Sequence, residues 1–295
     1  MLNEFAAINQ EFPWFFRILA FVLGAVVGSF LNVCIYRIPA GQSIIHPGSH
    51  CACGQPIAWY HNIPIFSWLI LRGRSRCCGQ LFSIRYPAIE LLTALLFLAS
   101  WWLLPVATAL VGMVFCSILI CATFIDLDHM IIPDRFTIGA AVVGVILSLL
   151  VPSLHLSSST YPVIDVVRSG LESILGLLVG SGIILWIALL AEVILRKEAM
   201  GFGDVKFLGA IGAFVGWQGA IFAIFGGAVI GTFAIAVGLL IQNLRPGKKE
   251  NEDSSPVFGR QTPFGPMLAA GGLLYFLLLR PYVDAYFANI AEILR

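Results

Sequence analysis

Long apolar runs, each closed by a short polar or charged interval, recur along the chain. A run of 18 or more residues is long enough as a helix to cross about 30 Å of hydrocarbon at 1.5 Å per residue. On this pattern the chain is expected to form helices near 14–36, 86–104, 106–125, 134–151, 171–195, 204–217, 219–242 and 263–282. Only Pro105 divides the second from the third, and the sixth is short and rich in glycine. Gly176, Gly180 and Gly182, then Gly226, Gly227 and Gly231, recur at spacings that let helix backbones approach closely in lipid. The first run, Trp14 to Tyr36, is too long for a signal-peptide core and ends in Arg37 and Pro39 rather than in small residues, so it reads as a retained helix.

The fold class that follows is all-α, a polytopic membrane helix bundle of about eight transmembrane helices with one small loop domain. Three parts are expected: a first transmembrane helix over 1–36, a cysteine-containing loop domain over 37–85, and a larger membrane domain over 86–295. Composition agrees, because 59 % of the residues are hydrophobic and 11 % charged, where a soluble domain carries about a quarter charged residues. A soluble globular protein is excluded. The net charge of +1 supplies no global field to recruit nucleic acid, so the sign of individual loops matters more than the total.

With eight spans both termini face one side. All but Arg17, Arg168, Arg280 and Arg295 of the 17 basic residues fall in loops on the other side. Short cytoplasmic loops retain positive charge. The loop 37–85, the turns 126–135 and 196–206 and the segment 243–262 are therefore expected to be cytoplasmic.

Acidic residues at or within the spans are Glu90, Asp126, Asp128, Asp134, Glu192 and Asp204. A carboxylate near hydrocarbon is unfavourable by several kcal/mol unless paired, protonated or hydrated, which makes each a functional candidate. Asp126, Asp128 and Asp134 lie in the run from Phe124 to Asp134, at the end of the third span. Pro133 and Asp134 suit the start of the following helix, so Asp134 is read as a cap. Asp204 follows two glycines in Met200-Gly201-Phe202-Gly203-Asp204-Val205-Lys206 and opens the sixth span level with Asp126. Lys206 could tune Asp204 or contact headgroups. Two adjacent carboxyls that share one proton can activate water with one and polarise a carbonyl with the other. Helix capping is the plain alternative for each alone; as a pair beside a glycine turn they point to peptide hydrolysis.

These residues resemble the type 4 prepilin peptidases, bacterial members of the GxGD class of membrane aspartyl proteases. The resemblance extends over nearly the whole chain, through Gly28-Ser29-Phe30-Leu31-Asn32-Val33, Tyr36-Arg37-Ile38-Pro39, Trp59-Tyr60-His61-Asn62-Ile63-Pro64, Leu71-Arg72-Gly73-Arg74 and Arg85-Tyr86-Pro87 with Glu90. The aspartate run and Gly201-Phe202-Gly203-Asp204 complete it. It implies that 86–295 is the protease domain, with Asp126 and Asp204 as catalytic aspartates; Asp128 is the rival for the first role. It also implies cleavage after glycine in the basic leader of type IV prepilins or type II secretion pseudopilins, at the cytoplasmic face of the bacterial inner membrane. Longer members methylate the new N-terminal amine with S-adenosylmethionine. The oligomeric state stays open.

Cys34, Cys116 and Cys121 lie in apolar runs and read as buried small hydrophobes. Cys51, Cys53, Cys77 and Cys78 share the polar loop. Family members often carry CxxC twice there, a structural zinc pattern. Here the first pair is one residue short, and Ser75 stands where a cysteine is expected. The four thiols, with His50 as a spare ligand, are either a zinc site or reduced and unliganded; a disulfide does not suit that side. A proton-coupled transporter is the competing class, but it would place carboxylates near the midplane and show inverted repeats.

Overall fold

Pro13 presets the first turn of a 25-residue apolar helix, α1 (Pro13–Arg37), since proline lacks an N–H that this turn would leave unpaired anyway. The computed structural model describes residues 8–9, 11–51, 53–155, 159–196, 201–243 and 263–293. The basic residues Lys197, Arg245, Lys248, Lys249, Arg260 and Arg295, together with Met200, lie outside the described residues. After the loop come α2 (Arg85–Leu103), α3 (Val106–His129), α4 (Ile138–Leu150), α5 (Pro162–Leu195), α6 (Phe202–Asn243) and α7 (Gly265–Ile293). Six of these are long and apolar enough to cross a membrane; α4, with 13 residues, is a shorter apolar helix. No strand occurs among the described residues.

Six helices qualify as spans by length and composition where about eight are expected, and α6 joins the sixth and seventh expected ones end to end. Gly216 sits at φ 77 and ψ 178, outside helical geometry, and divides α6 into an arm over 202–215 and an arm over 217–243. Pro105 divides α2 from α3 as expected. α3 runs on to His129, so Asp126 and Asp128 ride on its last turns, which close at Met130 in the left-handed region (φ 54).

Three pieces of core hold the bundle; the smallest gathers Ala20, Phe97, Met113 and Cys116, and the other two bear on the site. The larger joins α3, α6 and α7 around Phe115, which stacks on Phe214 with ring centroids 4.8 Å apart and tilts against Phe276 at 5.3 Å. The smaller joins α1, α2 and α3 through Leu31, Cys34, Ile35, Ile89, Cys121 and Ile125. Cys34, Cys116 and Cys121 are buried, as the apolar reading has them. Large apolar side chains such as Val22, Leu95, Ile146, Leu178, Trp186 and Phe233 face outward, which suits a surface solvated by lipid. α5 meets α6 backbone to backbone, because a Cβ on Gly176 would strike the Gly212 carbonyl and a Cβ on Gly212 the Gly176 carbonyl. Gly180 and Gly227 also sit against neighbouring backbone, whereas Gly182 faces open space and Gly226 meets only Phe222 of its own helix.

At the Gly216 break the carbonyl of Ala213 loses its helical donor. Ser173 Oγ donates to it at 2.7 Å and Ser148 Oγ at 3.3 Å. Ser148 Oγ also lies 3.0 Å from His155 Nε2. Side-chain hydroxyls thus replace the missing backbone bond where no lipid could.

Candidate active site

Asp126 stands on the last turns of α3 and is only 5 % exposed. Its Oδ2 accepts from the main-chain N–H of Gly265, the first residue of α7, at 3.1 Å. Gly265 has to be glycine here, since a Cβ would lie 2.6 Å from that oxygen and 3.0 Å from Ile132 Cδ1. Gly203 touches the same Ile132 from the other side: a Cβ there would lie 3.8 Å from Ile132 Cβ. Ile132 is therefore the wall shared by the start of α7 and the start of α6, where Asp204 occupies the first turn. Asp204 is half-buried, its N–H bonds the Gly201 carbonyl at 3.1 Å, and Asp126 is the charged neighbour within electrostatic range of it. The structure thus brings together the two expected aspartates, from helices almost eighty residues apart, at one end of the bundle.

Asp128, the rival, is engaged elsewhere. Arg85 at the start of α2 grips both its oxygens, at 2.6 and 2.7 Å, and also donates to the Phe124 carbonyl at 3.2 Å. The guanidinium lies over the Phe124 ring. Asp134 does not cap the next helix as read from the sequence. α4 begins four residues later, at Ile138, without any side-chain cap, and Asp134 Oδ1 instead accepts from Lys206 Nζ at 2.7 Å. That ammonium holds the Asp134 carboxyl below the usual carboxylate range. The partner of Lys206 is thus Asp134 and not Asp204. The pair ties the α3–α4 turn to α6 across the site.

Sequence reasoning missed Gly265 as a donor. Gly265-Pro266 marks a helix start, but nothing in it names Asp126 as the partner. It missed Arg85 as well, whose role needs the α2–α3 packing. Glu90, singled out for its cost in lipid, accepts from the Ile65 N–H at 2.7 Å and so tethers the loop to α2.

In the loop the four thiols converge. Two turns of matching form carry them: Cys51 N–H bonds the Gln55 carbonyl, Ser75 N–H the Gln80 carbonyl, each at 2.8 Å, and Gly54 and Gly79 close them with φ of 85 and 70, a region that favours glycine. The Cys51, Cys53, Cys77 and Cys78 sulfurs all lie within 4.8 Å of one another, with Cys51 to Cys78 at 3.5 Å and Cys53 to Cys77 at 3.3 Å. Zn–S bonds of about 2.3 Å in a tetrahedron require sulfurs roughly 3.8 Å apart, so the donor set fits a metal of that kind despite its shortened spacing. His50 is not part of it, as its Nδ1 lies 3.0 Å from the Gly48 carbonyl. Ser75 Oγ lies 3.1 Å from Cys78 Sγ, beside the cluster.

Comparison with known proteins adds relatives. Residues 22–104 match a family model described as the bacterial peptidase A24 N-terminal domain, and residues 113–236 one described as the type IV leader peptidase family. The chain is 35 % identical to a prepilin leader peptidase/N-methyltransferase of Pectobacterium carotovorum subsp. carotovorum, over 94 % of this chain and 97 % of the relative. It is 37 % identical to the enzyme of the same name from Myxococcus xanthus, over 82 % of this chain and 68 % of the relative. A type 4 prepilin-like proteins leader peptide-processing enzyme of Escherichia coli is 39 % identical over 71 % of this chain and 80 % of the relative. No solved structure matches.

Proposed function

Because the chain belongs to the type IV leader peptidase family, we propose that Asp126 and Asp204 are the two carboxyls with which it cuts the leader from a prepilin. The observation that carries this reading is that Asp126, held by the Gly265 N–H, lies within electrostatic range of Asp204 at one end of the bundle. In the reaction the unprotonated carboxyl of the pair takes a proton from water as the water oxygen attacks the scissile carbonyl. The protonated partner donates to the carbonyl oxygen, and the C–N bond breaks as the departing nitrogen gains a proton. The Gly265 N–H fixes one Asp126 oxygen and leaves the other for that work. The test is cleavage of a prepilin by purified Asp126→Ala, Asp128→Ala and Asp204→Ala chains. Loss in the first and last with activity kept in Asp128→Ala is expected; full activity of Asp126→Ala overturns the assignment.

The enzyme is bifunctional: it also N-methylates the new N-terminal residue, as its relatives are named for. S-adenosylmethionine supplies the methyl group. Without a strand among the described residues, this donor is not held there in the strand, glycine turn and helix manner of dinucleotide folds.

The substrate is a type IV prepilin or a type II secretion pseudopilin, cut after glycine. The enzyme is a bacterial inner-membrane protein whose carboxyl pair and 37–85 loop domain face the cytoplasm, supported by the bias of Lys and Arg to that side. Helix 1–36 and the 86–295 protease domain flank the loop. Cys51, Cys53, Cys77 and Cys78 hold a structural zinc ion that would fasten the two loop turns together. Elemental analysis is expected to find one zinc per chain, lost when Cys53 and Cys78 become Ser; metal-free wild type overturns it.

A further inference from the structure

Between α1 and α2 the loop has no Asp or Glu from residue 38 to 84, whereas Arg72, Arg74 and Arg76 stand at alternate positions. Its helical turn Phe66–Ile70 buries none of its residues. Phe66 is 62 % exposed, Leu69 57 % and Ile70 79 %, and Leu81 and Ile84 follow at 71 % and 68 %. So much contiguous apolar surface on a polar loop calls for something apolar to cover it.

Two tethers set the depth of this surface. The Ile65 N–H donates to Glu90 Oε2 at 2.7 Å, and Glu90 lies five residues into α2, about 7.5 Å along its axis. α2 has 19 residues, about 28 Å, no longer than the hydrocarbon layer of about 30 Å itself. The level of Glu90 is therefore at or inside the membrane boundary. The second tether is the Trp68 indole N–H, which donates at 3.1 Å to the Phe82 carbonyl, just before α2 begins. Ile65 is held at φ 65 between them, with the Phe66 N–H on the Pro64 carbonyl at 2.6 Å. A β-branched residue keeps such a conformation only where its surroundings impose it. The turn is thus pinned against the start of α2 with its apolar side chains outward.

We propose that Phe66–Ile70, with Leu81 and Ile84, is an interfacial anchor lying in the headgroup boundary of the leaflet where α2 begins, and that Arg72 and Arg74 bind anionic phospholipid headgroups. Both arginines are exposed, while Arg76 is occupied with His61, 3.2 Å away. Apolar residues beside a basic edge on a loop without carboxylates match an anionic surface and would repel a basic leader peptide. The anchor presses the cysteine turns to the bilayer at the end of the bundle that holds the carboxyl pair. It needs nothing of the cleavage chemistry, so an Asp126→Ala chain anchors equally well.

The test uses the full chain in vesicles of phosphatidylcholine alone or mixed with phosphatidylglycerol. A benzophenone amino acid replaces Ile70, whose side chain is 79 % exposed. Irradiation is expected to give lipid adducts, more in the phosphatidylglycerol vesicles. Arg72→Gln with Arg74→Gln should lower that excess by about fivefold for each arginine lost. Adducts to prepilin or to another protein, or none at all, would overturn the anchor. Equal yields in both vesicles would overturn the anionic part.

Discussion

Arg85 holds Asp128 by two parallel bonds of 2.6 and 2.7 Å that join the start of α2 to the end of α3. This leaves Asp128 as a strut for the turn bearing Asp126. Both side chains are about one-third exposed, so the pair contributes about 1 kcal/mol or less. Asp128→Ala should lower the melting temperature in detergent by a few degrees and keep most of the cleavage rate. Loss of cleavage in a folded Asp128→Ala chain would return the catalytic role to that residue.

Gly265→Ala tests the support of Asp126. A methyl group 2.6 Å from Asp126 Oδ2 must push the carboxyl or the start of α7 aside, and displacement of a reacting group by about 1 Å can lower a rate about 10²-fold. The expected outcome is a large fall in kcat with a small change in stability, read from cleavage kinetics beside thermal unfolding. Unchanged kcat would show that the Gly265 bond is dispensable.

Close backbone contact gives a paired prediction in α5 and α6. Gly212→Ala places a Cβ against the Gly176 backbone and should destabilise by about 1–3 kcal/mol. Gly182→Ala meets nothing within 4 Å and should be neutral or slightly stabilising through helix propensity. Thermal unfolding of both variants in one detergent decides it.

His155, beyond the end of α4, has its pKa pushed down from 6.5 to about 3 by burial, with the Arg280 charge adding to it. It is neutral in the folded chain, while the unfolded chain takes up a proton below 6.5. The unfolded state then binds more protons, so stability falls as pH drops through 6.5 towards 3. His155→Gln should flatten that part of the melting-temperature profile. A wild-type profile already flat between about pH 6.5 and 4.5 would contradict it.

The helices were legible because lipid leaves the backbone no alternative, and apolar length alone then marks a span. The break at Gly216 falls two residues before the gap expected between the spans 204–217 and 219–242. Asp126 and Asp204 could be singled out because carboxylates near lipid are expensive and these two fall at the same level. What the sequence could not give was side-chain partnership across helices. Asp134 carried every mark of a helix cap, yet Lys206, seventy-two residues away, outcompetes a helix start that lies four residues further on. The cysteine spacing left a zinc site and unliganded thiols both open, because spacing along the chain ignores how two turns can face each other.

Of two short rods, α4 and the first arm of α6, one acts beyond the protein itself. At 1.5 Å per residue they measure about 20 and 21 Å, roughly 10 Å short of an ordinary hydrocarbon layer. The first arm of α6 is buried from Phe207 to Gly216, so it is α4, with Val142, Ile146 and Leu150 exposed, that lipid must compress to meet. A stiff or unusually thick bilayer therefore works from outside against α4, the helix that follows the turn after Asp126 and Asp128.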